Sequence, residues 1–282
     1  MLGFSSAVMK RQNTGMAGMV DLYNNAYAHF EADAYREVRA ETYGEDLGQT
    51  GWTTTEESKE IPRLIGITHA AEVLEIGCGS GRYALQVAVT TGCHILGLDM
   101  NERGVQNANR LAASQNLSTR ARFEVADCSK PLTFGENSFD GAFSNDVLCH
   151  IPGRPALLAE LFRVLKPGAR ILFSDALVIG GVISNWEIAT RSSIGHYLFT
   201  PPGENERLLE QAGFRVVKVE DTTKNAAAIS KRWSEARQKR SEALVAIEGQ
   251  KNFEGLQRFL ANVHALTSER RLLRFVYVAE KA

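Results

Sequence analysis

Between residues 72 and 175 the chain alternates short, nearly continuous apolar runs with segments of helical periodicity. The apolar runs cover 73–76, 94–98, 122–126, 141–144 and 170–174, and helical patterns near 81–90, 102–115 and 154–165 lie between them. Repeated strand–helix–strand units predict an α/β fold with a parallel sheet covered by helices on both faces. Lys166-Pro167-Gly168 reads as a turn that stops one helix and launches the fifth strand.

The flanks carry a different rhythm. Residues 16–44, from Met16-Ala17 onward, predict one or two helices, with Leu22, Tyr23, Ala26, Tyr27 and Phe30 at helical spacing. Gly44 and the stretch 47–52 break that pattern into a loop. Thr54 or Thr55, followed by Glu56 and Glu57, caps a helix running to about residue 65. Residues 177–203 read as an irregular or partly helical insertion. A helix near 204–212, a strand near 214–220, helical sequence over 225–266 and a closing strand over 274–279 follow. The basic stretch from Lys231 to Arg240 reads as a solvated helix face, and Arg270, Arg271 and Arg274 as surface charge.

The strongest chemical signal is Val73-Leu74-Glu75-Ile76-Gly77-Cys78-Gly79-Ser80-Gly81. A buried strand enters a glycine-rich turn that opens a helix, where the backbone approaches a ligand closely and the helix end offers free N–H groups. A dinucleotide site needs the spacing G-x-G-x-x-G. Here Gly77, Gly79 and Gly81 form G-x-G-x-G, and Glu75 suits a cationic amino-acid ligand better than a phosphate. The spacing therefore favours S-adenosylmethionine over a nicotinamide dinucleotide. Asp99, at the tip of the second strand, can accept both ribose hydroxyls or cap the next helix, and Met100 then lies beside the adenine. Asp127 can accept from the adenine amino group while the Cys128 N–H donates to a ring nitrogen; alternatively Asp127 is a plain loop residue.

Composition narrows the partners. The 282 residues are 44% hydrophobic and 23% charged, with a net charge of −1, so the chain can bury a core and has no positive field for a phosphate backbone. Residues 1–14 lack the apolar run of a signal peptide, and no segment is long and apolar enough to span a membrane. Cys78, Cys93, Cys128 and Cys149 form no CxxC pair or zinc-ligand cluster, so no metal is expected, and they read as reduced thiols in a cytoplasmic protein. Adenine N-methyltransferases carry an Asp/Asn-Pro-Pro-aromatic motif after strand four. Here that segment is Ser144-Asn145-Asp146-Val147, and no Pro-Cys nucleophile occurs.

Taken together, residues 75–81, Asp99, Asp127, Phe139-Asp140 and Leu165-Lys166-Pro167-Gly168 resemble class I S-adenosylmethionine-dependent methyltransferases of the ubiquinone/menaquinone-biosynthesis type. The resemblance implies a Rossmann-like, seven-stranded, mostly parallel sheet of order 3-2-1-4-5-7-6. It divides the chain into N-terminal helices and lid loop (1–66), a cofactor-binding core (67–176), and a substrate cap with the last two strands (177–282). Gly44-Glu45-Asp46-Leu47, Gly51-Trp52, and the segment from Ser144 to His150 further resemble the sarcosine/dimethylglycine and phosphoethanolamine N-methyltransferase group. Natural-product C-methyltransferases share that layout.

By this resemblance Gln49 and Trp52 belong to the lid at the methionine end of the cofactor. Asn145 and Asp146 face the methyl group, and His150 takes an acid/base role. Asp146 can orient His150, hold a substrate cation, or serve as a cap. His150 can equally be a histidine packed under the lid. Tyr23, Tyr27, Trp186 and Tyr197 are candidates to line the acceptor pocket, or to pack in the cap. Two departures weigh against a phosphorylated amine. Asp175 is followed by Ala176 where the phosphobase enzymes carry tyrosine, and their phosphate-binding cluster has no clear counterpart in 186–200, although Arg191 and Tyr197 are nearby. The expected activity is methyl transfer to N or O of a small molecule, with a homodimer compatible. The alternatives are C-methylation of an isoprenoid-like carbon, or a non-catalytic cofactor-binding subunit.

Overall fold

The computed structural model describes residues 19–46 and 48–282; the expected helix start at Met16-Ala17, the reading of residues 1–14, and Leu47 lie outside the described residues. In chain order the elements are α1 (Tyr23–Ala28), α2 (Asp33–Tyr43), α3 (Thr55–Ile65), β1 (Glu72–Ile76), α4 (Arg82–Thr91), β2 (His94–Asp99) and α5 (Glu102–Ser114). Then come β3 (Ala121–Val125), β4 (Phe139–Ser144), a 3-10 turn at Leu148–His150, α6 (Arg154–Val164), β5 (Leu165–Ile179) and α7 (Asn185–Arg191). The chain ends with α8 (Glu204–Gln211), β6 (Phe214–Asp221), α9 (Thr223–Lys239), α10 (Ser241–Glu248), α11 (Gln250–Ser268) and β7 (Leu272–Lys281).

The seven strands form one sheet of order β3-β2-β1-β4-β5-β7-β6. The first five are mutually parallel, and β7 runs antiparallel to both β5 and β6. Because strand side chains alternate faces, Leu74 and Ile76 join one core with Leu158, Leu161 and Phe173, while Val73 joins the other with Ala84, Phe143 and Ile61. A third core lies in the cap, where Val38 and Trp52 pack with Trp233, Leu256 and Phe259. That core welds the N-terminal helices to α9 and α11, and so fixes the lid loop beneath them.

Three expectations need correction. Lys166-Pro167-Gly168 does not precede the fifth strand but lies within it: Leu165 already pairs with Phe139, and a register shift between Phe139 and Gly141 absorbs the irregular residues. Arg237, expected on a solvated face, is 2% exposed and pairs with the fully buried Glu248. Arg274, read as surface charge, is completely buried. In both cases a carboxylate from another element compensates the guanidinium, from the next helix for Arg237 and from distant segments for Arg274, a relationship that helical periodicity does not carry. No helix among the described residues is long and apolar enough to cross a membrane. The four cysteines are free and buried.

Candidate active site

At the carboxyl end of β1 the chain turns through Gly77, Gly79 and Gly81, all with positive φ. None of the three can carry a side chain as folded: a Cβ on Gly77 would collide with the Val147 Cγ1. A Cβ on Gly81 would lie 2.6 Å from the Ala108 Cβ, and one on Gly79 would lie 2.5 Å from the Tyr27 hydroxyl. Tyr27 therefore roofs the turn, and Asn107 Nδ2 donates to its carbonyl at 2.9 Å to hold α1 there.

Asp99 sits at the tip of β2, accepting from the Gly79 N–H at 2.8 Å and from the Asn101 N–H at 2.8 Å. The helix-cap role belongs instead to Asn101, whose side chain accepts from the Gly104 N–H. Beyond Asp99 the strand tips open to solvent. Met100 is 78% exposed, and Val125, at the end of the neighbouring strand, is 55% exposed. Asp127 is exposed and accepts from the Ser129 hydroxyl and N–H, while Cys128 is buried.

Two buried polar atoms near these strand tips are unsatisfied. Glu75 is buried, and its Oε2 has no hydrogen-bond partner among the described residues. Burial, reinforced by Asp99, pushes its pKa well up. Asn145 Nδ2 is likewise buried and unpartnered. The β1–β4 register places Glu75 beside Phe143, two residues before Asn145. An unpaired acceptor and an unpaired donor at adjacent strand tips match the ammonium and carboxylate of an amino-acid moiety. The residues thus fit the methionine end of S-adenosylmethionine. Gln49 is buried, with Nε2 donating to the Glu45 carbonyl. Trp52 lies further from expectation: its indole packs on Trp233 and Phe259, and its backbone N–H donates to Asp146.

A second cluster lies under the cap. His150 Nδ1 is 3.0 Å from the His196 carbonyl, which can only accept, so Nδ1 carries the proton. Nε2 is then the acceptor for the Tyr23 hydroxyl at 2.9 Å. Burial first, and the Arg191 guanidinium second, push the His150 pKa down to about 4, leaving the imidazole neutral at neutral pH. The Tyr197 ring lies 4.3 Å from the His150 ring. Arg191 is 1% exposed, with its guanidinium 4.3 Å from the Tyr197 ring centre and 5.1 Å from that of Phe259. Its Nε and Nη1 have no hydrogen-bond partner, and no carboxylate pairs with it among the described residues.

Two site expectations meet different geometry. Asp146 does not hydrogen-bond His150, because its oxygens are taken by Arg274, Ser174 and the Trp52 N–H. Its backbone, at φ +58°, turns the carboxylate toward β7 instead. Trp186 is 59% exposed and does not line the cluster, because it stands in the first turn of the short α7, whose buried residues are Thr190 and Arg191 in the last turn. Reading the sequence alone assigns no role to Arg191 and takes Arg274 for surface charge. Neither arginine stands in a periodic pattern that separates it from a surface residue, and only its burial marks it out.

Comparison with known proteins places these features in context. A family model described as a methyltransferase domain matches residues 67–238, more than half of the chain. A phosphoethanolamine N-methyltransferase of Triticum aestivum is 32% identical over 214 residues, covering 76% of this chain and 42% of the wheat protein. The chain therefore spans about two fifths of that relative's length. An O-methyltransferase of Aspergillus nomiae is 30% identical over 169 residues, 58% of this chain and 73% of the fungal one. Among solved structures, phosphoethanolamine N-methyltransferase 2 of Haemonchus contortus, in complex with phosphomonomethylethanolamine and S-adenosylhomocysteine, superposes with a TM-score of 0.77. It shares 22% identity, and the match covers 93% of this chain and 60% of that one, a likeness of fold.

Proposed function

Since the chain belongs to the methyltransferase-domain family, we propose that it is an S-adenosylmethionine-dependent methyltransferase acting on nitrogen or oxygen of a small-molecule acceptor. The observation that carries this reading is the Tyr23–His150 pair, an acceptor nitrogen with a fixed tautomer held by the same helix whose Tyr27 covers the glycine turn. When bound, S-adenosylmethionine supplies an activated methyl group on a sulfonium. Glu75 and Asn145 would hold its amino-acid end, Asp99 its ribose, and Met100, Asp127 and Cys128 the neighbourhood of its adenine.

A hydroxyl or ammonium acceptor must lose a proton to become a nucleophile. His150 Nε2 takes that proton, directly or through the Tyr23 hydroxyl, and the His196 carbonyl steadies the resulting imidazolium through Nδ1–H. The cap aromatics and the roof formed by Tyr27 exclude water and orient the acceptor. Burial first and Arg191 second hold His150 poorly basic, so an acceptor that brings negative charge to that guanidinium offsets the second of these as it binds. This favours an anionic acceptor over an apolar isoprenoid carbon. The near-neutral net charge supports a small molecule rather than nucleic acid. The buried free cysteines accord with a cytoplasmic location, and a homodimer is compatible with the reading.

Thermal unfolding with S-adenosylhomocysteine tests the cofactor: a rise in Tm with that ligand and none with NAD is expected, and no rise with it ends the reading. Turnover across a panel of small amines, phenols and carboxylates then separates an enzyme from a silent cofactor-binding subunit.

A further inference from the structure

The most heavily bonded side chain of the site region lies outside the crevice. Arg274, on β7, donates five hydrogen bonds to four residues: Nε and Nη2 to the Asp146 carboxylate, Nη1 to Glu57 Oε1 and Thr222 Oγ1, and Nη2 to Thr53 Oγ1. These partners come from the tip beyond β4, the lid loop, the first turn of α3 and the end of β6. Asp146 passes the connection on, accepting from the Trp52 N–H at 2.8 Å, while its own N–H donates to the Ser174 hydroxyl at 2.9 Å. Glu57 does the same on the other side. Its Oε2 accepts from the Thr54 N–H to complete the capping box that starts α3, while its Oε1 accepts from Arg274 at 2.6 Å. Three successive lid residues, Trp52, Thr53 and Thr54, are thus tied directly or through one carboxylate to a single guanidinium. The same guanidinium fixes the residue after Asn145.

We propose that Arg274 is a positioning residue that latches the lid loop and the Asn145 segment together in the cofactor-holding arrangement. It acts through Asp146 and Thr53, and the inference rests on the reading of the crevice as an S-adenosylmethionine site. A planar fork serving four partners cannot be replaced by a single ammonium, so lysine keeps the charge and loses the latch.

The test is the Kd for S-adenosylhomocysteine, measured by calorimetry on the full chain. Arg274→Lys should raise that Kd at least tenfold. Leu209→Ala, a core truncation in α8, should lower Tm and leave the Kd unchanged, separating a latch from general destabilisation. A folded Arg274→Lys protein binding within twofold of wild type overturns the proposal. If Arg274→Lys does not fold, Thr53→Val decides: a rise of threefold or more supports the latch, and an unchanged Kd overturns it. Failure of the wild type to bind overturns the cofactor reading itself, an outcome distinct from variants that bind as the wild type does.

Discussion

The Tyr23 hydroxyl donates to His150 Nε2 at 2.9 Å, joining residues 127 positions apart. Tyr23 stands on α1 and His150 in the segment beyond β4, so this hydrogen bond is complete only when α1 is docked. His150→Ala should lower kcat/KM by about a hundredfold or more, the usual worth of a general base. Tyr23→Phe should cost less if the acceptor reaches Nε2 directly, and about as much if the hydroxyl relays the proton. Steady-state kinetics on both variants measures the difference.

The depressed His150 pKa also predicts a pH dependence of stability. The unfolded chain takes up this proton near the ordinary value of 6.5, the folded protein only near 4. Between those values the unfolded state binds more protons, so stability falls as the pH falls. The contribution is complete above about 6.5 and is lost as the solution is acidified toward 4. The decline in Tm across this window should be steeper for wild type than for His150→Gln.

Arg191 is the second cause of that depression, after burial. Arg191→Met should therefore raise the His150 pKa, read from the imidazole proton shift in an NMR titration. It should also raise KM for an anionic acceptor. A pKa that does not move would remove Arg191 from the account of His150.

Arg237 and Glu248 form a buried pair that ties α9 to α10, and Tyr35 from α2 donates to the same carboxylate. Arg237→Leu leaves that carboxylate buried without its cation, which should cost about 3–5 kcal/mol in urea unfolding. The double variant Arg237→Leu with Glu248→Gln should recover part of the loss, since no uncompensated charge then remains.

The strand and helix periods of residues 72–175, the glycine turn and the carboxylates at the strand tips were legible in the sequence, because each is a local pattern read over a few residues. The sheet order followed from those repeats only with the family resemblance, and the comparisons accord with it. The partners of Asp146, the burial of Arg274 and Arg237, and the burial of Arg191 with no carboxylate partner among the described residues were decided by the tertiary structure alone. An arginine has the same local signature whether it faces water or a carboxylate 128 residues away, as Arg274 faces Asp146. What separates the two is desolvation and pairing, which exist only once distant elements have packed together.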